Sequence, residues 1–212
     1  MSALSFIHRF EPGGRNDLPP LLVLHGTGGN EHDLLPLGKM IAPGAGLLSP
    51  RGKVSENGMP RFFRRLAEGV FDEEDLRLRA NELADFVTAA RREYGIAAPV
   101  ALGYSNGANI AAAMMLLRPQ ALAGGILLRA MRPLADAGAP GSLTGRSVLI
   151  VSGARDPLMA PDNAAGLATA LRDAGATVQH QTIGAGHELS QQDVTLARQW
   201  LQGVRGDLSA AS

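Results

Sequence analysis

Leu102-Gly103-Tyr104-Ser105-Asn106-Gly107-Ala108 centres a serine in the pattern G-x-S-x-G. In front of it lies a short apolar run, Pro99-Val100-Ala101-Leu102. Behind it lies a helix-forming run, Asn109-Ile110-Ala111-Ala112-Ala113-Met114-Met115-Leu116-Leu117. Strand, sharp turn and helix are what a nucleophile elbow requires: the serine sits at a strained corner with its hydroxyl exposed. Side chains two residues to either side would strike neighbouring backbone, so glycine takes both places. With 26 glycines in 212 residues the bare pattern is cheap. Its strand-to-helix setting makes it informative.

Working outward, apolar runs alternate with amphipathic ones, the pattern of an α/β sheet. Strands are predicted at Ser5–Phe10, Leu21–His25, Gly46–Ser49, Val100–Tyr104, Gly125–Arg129, Val148–Ser152 and Thr177–Thr182. Several are continuously apolar, as parallel strands buried on both faces should be. Helices are predicted at Asp33–Ile41, Glu73–Tyr94, Asn106–Leu117, Pro161–Ala174 and Gln191–Gln202. Pro161 at a helix start and Gly175 past a helix end suit the chemistry of those termini. No repeat or linker interrupts the chain, which reads as one domain over residues 1–205 with a low-complexity tail over 206–212. The one long irregular segment expected is Ser49–Phe71, and long loops in compact domains tend to carry function.

Composition narrows the chemistry. Lys+Arg and Asp+Glu balance at 20 each, which gives no electrostatic reason to expect nucleic acid or an anionic membrane as partner. Cysteine is absent, so disulfides, thiolate catalysis and cysteine zinc sites are excluded. The first ten residues lack the basic start and long apolar middle of a signal peptide, and no apolar segment approaches the roughly 20 residues that span a bilayer. A cytoplasmic location is expected, and a homodimer is left open. No metal-binding motif and no cofactor fingerprint is present, so none is expected.

A serine hydroxyl needs a base, and the base needs an orienting carboxylate. In α/β-hydrolases the chain order is serine, acid, histidine. Beyond Ser105 only His180 and His187 remain. His180 falls mid-strand, where a sheet-face role is the ordinary reading. His187 follows Gly184-Ala185-Gly186 just past that strand and is the expected base. Asp156 is the preferred acid, because it follows Val148–Ser152 at the carboxyl edge of a strand, where open α/β sheets place their chemistry. Asp136, Asp162 and Asp173 compete with it. The developing oxyanion needs backbone N–H donors. Asn106, next after the serine, and Thr27, within His25-Gly26-Thr27-Gly28-Gly29, are expected to provide them. That glycine-rich turn alone could cradle a phosphate, but no Walker lysine follows it.

The chain resembles the carboxylesterase/phospholipase family of α/β-hydrolases, the group of acyl-protein thioesterases and small bacterial carboxylesterases. The resemblance spans about Leu21 to Leu201. It rests on Leu24–Gly29, Leu48-Ser49-Pro50-Arg51-Gly52, Gly103–Asn109, Ser152–Pro157 and Gly186-His187-Glu188. The Gly-Tyr-Ser-Asn-Gly-Ala-Asn variant is most similar to the bacterial branch that includes hydroquinone-resistance hydrolases. Asn106 stands where the thioesterase branch typically has glutamine, which points away from protein thioesters. The resemblance implies a single-domain α/β-hydrolase fold, with Ser105, Asp156 and His187 as triad and Thr27 and Asn106 as oxyanion donors.

About 17 residues separate Arg129 from Ser147, too few for a folded cap domain, so an open groove is expected. Its walls are assigned to Met59, Phe62 and Phe63 of the long loop, to Met131, and to Leu158 and Met159 beside the acid. Arg51 and Arg61 are candidates for a carboxylate on the substrate. Small, short-chain or aryl esters are the expected substrates. A lysophospholipase, an acyl thioesterase, a dienelactone-hydrolase-like enzyme and a binding protein on a hydrolase scaffold are the alternatives.

Overall fold

The computed structural model describes residues 4–136, 139–204 and 206. Seven strands form the central sheet: β1 (His8–Glu11), β2 (Leu21–Leu24), β3 (Leu47–Pro50), β8 (Val100–Tyr104), β9 (Gly124–Leu128), β10 (Ser147–Gly153) and β11 (Thr177–Ile183). Their order is β1-β3-β2-β8-β9-β10-β11, and every pairing is parallel except β1 with β3. Five helices cross over: α1 (Leu35–Ile41), α2 (Glu73–Tyr94), α3 (Asn106–Leu117), α4 (Pro161–Asp173) and α5 (Gln191–Gly203).

The strands sort their side chains by parity. Leu22, Leu24, Ala101, Leu127, Val148 and Ile150 belong to a core beneath α2, α3 and α4. Leu21, Val23, Val100, Leu102, Ile126, Leu128, Leu149 and Val151 belong to a second core beneath α1 and α5. Successive strand residues point to opposite faces, so a run apolar at every position is the mark of a sheet covered on both sides. Helix α3 is buried nearly all round, and Ala111-Ala112-Ala113 leave room for close packing. Helix α2 is capped by Asp72, whose side chain accepts from the Asp75 N–H, and ends at left-handed Gly95.

Seven strands and five helices fall where the sequence placed them, with shifted ends; the first strand begins at His8, not Ser5. The segment 49–71 differs from expectation. It holds the end of β3 and two small hairpins: β4 (Val54–Glu56) with β5 (Met59–Arg61), and β6 (Arg65–Ala67) with β7 (Val70–Phe71). Strands of two or three residues are too short to display an alternation of period two. Among the described residues of 130–146 there is neither helix nor strand, so no described element caps the sheet there. No described helix is long and apolar enough to cross a membrane. Of the tail read over 206–212, residues 207–212 lie outside the described residues.

Candidate active site

Ser105 stands between β8 and α3 with φ 51° and ψ −113°, a backbone conformation rarely adopted by a residue with a side chain. The two flanking glycines are dictated by contact. A Cβ on Gly107 would lie 2.1 Å from the Leu24 carbonyl oxygen, and one on Gly103 would lie 2.6 Å from the Ala108 Cα. The turn is therefore wedged against the end of β2, and no other residue type fits.

The loops after β10 and β11 meet over this turn. His187 Nε2 accepts from the Ser105 hydroxyl at 3.0 Å, and its Nδ1–H donates to Asp156 Oδ2 at 2.8 Å. The other Asp156 oxygen accepts from the Leu158 N–H at 2.9 Å, and this carboxylate is almost fully buried. Tyr104 donates its hydroxyl to the His187 carbonyl at 3.1 Å. His180 does form a hydrogen bond to a serine, Ser152, at 2.8 Å. That pair lies on adjacent strands of the sheet, and no carboxylate among the described residues bonds the other ring nitrogen. Burial and the nearby Arg172 both push His180 down from its ordinary value.

The backbone N–H of Thr27 has no acceptor among the described residues. Asn106 opens α3, so its N–H lies ahead of the first helical acceptor. Both residues line one cleft with Ser105 and His187, a space of about 400 Å³ open to solvent. Met131, Leu158 and Met159 line it as expected, and so does Arg61. Arg65, Glu68 and Gly69 of the second hairpin close one side.

Four residues expected at the site lie elsewhere. Phe62 and Phe63 are fully buried in the core under α2 and α3, because the chain turns inward after β5. Met59 is exposed and lies beside Gly28 outside the cleft. Arg51 directs its guanidinium at Glu31, with Nη2 to Oε1 at 2.8 Å, and that bond holds the Glu31 carboxyl at about 2.

Sequence reading missed Arg129. This residue is buried at the end of β9 with φ 55°. It donates to Asp193 through two nitrogens at 2.7 and 3.0 Å, to the Gly186 carbonyl at 2.9 Å and to the Glu188 carbonyl at 2.8 Å. It thus grips the chain on both sides of His187. The available signal was an arginine ending the apolar run Ile126-Leu127-Leu128, with no partner in the sequence nearby.

The protein MhqD of Bacillus subtilis (strain 168), named as a hydrolase, is 46% identical over 195 residues, which are 91% of this chain and 96% of that protein. The Bacillus cereus carboxylesterase structure superposes with a TM-score of 0.89 at 45% identity, covering 92% of each chain. The chain belongs to the carboxylesterase/phospholipase family of α/β-hydrolases. As a member of this family it is a hydrolase. No family model matches it. The structure of YahD with malic acid superposes with a TM-score of 0.86 at 32% identity, over 92% of this chain and 97% of that one.

Proposed function

We propose that this hydrolase is a serine carboxylesterase acting on small esters through an acyl-enzyme. The observation that carries this reading is the continuous hydrogen-bonded line from Ser105 through His187 to Asp156. In acylation, His187 Nε2 takes the Ser105 proton while Oγ attacks the ester carbonyl. The resulting oxyanion is bound by the N–H groups of Thr27 and Asn106. His187 then returns the proton to the departing alcohol. In deacylation a water gives its proton to His187 and attacks the acyl carbon, and Ser105 is regenerated. Asp156 fixes the imidazole tautomer and stabilises the imidazolium in both halves.

The cleft is small and open, with apolar contact from Met131, Leu158 and Met159, which suits a short acyl or aryl group. A second reading adds a carboxylate to the substrate. Arg61 and Arg65 both face the cleft and share one partner, Glu56, and no protein partner bonds the Arg65 Nη groups among the described residues. Glu68, exposed on the same wall, opposes such binding, and the malic acid held by YahD supports it. Comparing p-nitrophenyl butyrate with the p-nitrophenyl monoester of succinate separates the two readings. A higher kcat/KM for the succinate ester, lost in Arg65→Gln, supports the anionic one.

The central test is Ser105→Ala. Hydrolysis of p-nitrophenyl acetate should fall by about 10⁴- to 10⁶-fold in kcat. A fluorophosphonate probe should label the wild type and not the variant. A folded variant that keeps more than about a hundredth of wild-type activity excludes the assignment.

A further inference from the structure

Thr27 sits in a turn with Gly26, Gly28 and Gly29, a backbone with little stiffness of its own. An oxyanion donor must nonetheless be held to within a few tenths of an ångström. The missing rigidity comes from the first hairpin. Three consecutive residues each make one hydrogen bond to the oxyanion region. The Pro60 carbonyl accepts from the Gly28 N–H at 2.9 Å. Arg61 Nη1 donates to Thr27 Oγ1 at 2.8 Å. The Phe62 N–H donates to Asn106 Oδ1 at 2.8 Å. One short segment, the end of β5 and the residue after it, therefore touches both donor residues.

The strand is itself fixed. Arg61 is buried, its Nη1 lies 3.0 Å from Glu56 Oε2 across the hairpin, and its Nε donates to the Phe63 carbonyl at 3.2 Å. Phe62 and Phe63 anchor the downstream end in the core. At the root, the Gly52 N–H donates to His25 Nε2 at 3.0 Å, and a Cβ on Gly52 would lie 2.2 Å from the Arg61 carbonyl oxygen. Burial pushes His25 below its ordinary value, which keeps Nε2 free to accept.

We infer that Arg61 is a positioning residue of the reaction, acting through the Thr27 hydroxyl, and that the segment Pro60–Phe62 sets the relation between the two oxyanion donors. This rests on the acyl-transfer reading above. It explains why a guanidinium is buried beside a cleft that binds neutral esters. Its hydrogen bond to Thr27 stiffens the donor loop, so its effect belongs to the transition state and not to ester binding.

The test compares Arg61→Gln, Thr27→Val and the double variant with p-nitrophenyl acetate. Each also meets a trifluoromethyl ketone, which mimics the oxyanion when it adds to serine. Each single variant should lose about 10- to 100-fold in kcat with KM nearly unchanged. Ketone affinity should weaken by the same factor. Thr27→Ser, which keeps the hydroxyl, should lose less than Thr27→Val. The double variant should be no worse than the poorer single one, since both remove one contact. Thermal unfolding identifies any variant that fails to fold. Thr27→Val, which exchanges one hydroxyl for a methyl of similar size, carries the test if Arg61→Gln fails to fold. Wild-type kcat in either folded variant, a rise in KM alone, or losses that multiply in the double variant would overturn the inference. Active Ser105→Ala would instead sink the acyl-transfer reading itself, so the two failures are distinct.

Discussion

Glu31 and Arg51 form a forked pair at 2.5 and 2.8 Å, which engages two of the three guanidinium nitrogens of Arg51. The Arg51 hydrogen bond lowers the Glu31 carboxyl from 4.5 to about 2 in the folded chain. A depressed carboxylate stabilises the fold above its unfolded value, and that contribution is lost as pH falls through the folded value. Glu31→Gln should therefore melt below the wild type at pH 6, by about 2–4 °C at most because Arg51 is partly exposed to solvent. The gap should close as pH falls from about 4.5 towards 2. Thermal melts of both proteins across that range check it; a gap that widens towards low pH would assign the wrong sign. Ser105 was legible at this scale because its constraints are local: two glycines and a turn. Arg51 and Arg61 were not separable, since both are arginines in one segment and no local pattern shows that one pairs with Glu31 and the other with Glu56.

Between elements, the Arg129–Asp193 pair ties the end of β9 to the first turn of α5, with both side chains wholly buried. Asp193 also accepts from Ser190 N–H and Oγ–H at 2.8 Å, which closes the helix cap. Breaking a buried pair by removing one partner leaves an uncompensated charge and costs about 3–5 kcal/mol. Arg129→Met should lose that much in denaturant unfolding. It should also lower kcat at temperatures where it remains folded, because the carbonyls on either side of His187 lose their donor. Asp193→Asn, which keeps the hydrogen-bonding shape, should cost less. Equal stability of Arg129→Met and wild type would show that the pair contributes nothing. The long elements were legible because eleven or more residues display a period. The two hairpins of segment 54–71 were not, because their order comes from Glu56, Arg61 and Arg65 and from contacts with the sheet end.

Across the molecule, the turn after β2, the elbow after β8 and the loops after β10 and β11 gather at the carboxyl ends of the parallel strands. This is where open α/β sheets form their crevice. Among the described residues no folded cap covers it, and the β6–β7 hairpin, with exposed Leu66 and Val70, borders the cleft on one side. A methylene gains about 0.8 kcal/mol only where it is buried. For the esterase proposed here, kcat/KM should climb over p-nitrophenyl esters from acetate to roughly butyrate or hexanoate, then level off or fall. No jump in rate should appear at the aggregation limit of the substrate. A steady rise out to palmitate would mean that this hairpin folds over the site as a lid, and a lipase-type specificity would replace the short-ester one.

The sequence alone determined the order of strands and helices, the two-sided burial of the sheet and the position of the elbow. Those features depend on neighbours within a turn or a short run, and the chain displays them directly. The assembly of the site was decided by tertiary structure. His187 reaches Ser105 across 82 positions, Arg129 reaches Asp193 across 64, and Arg61 reaches Thr27 across 34. Chain order narrowed the histidines to two, but no local pattern distinguishes an arginine that grips the chain around His187 from one that is solvated. Which partner each charge finds is settled by the register of parallel strands and by which loops their crossovers bring together. That information exists only once the sheet has formed.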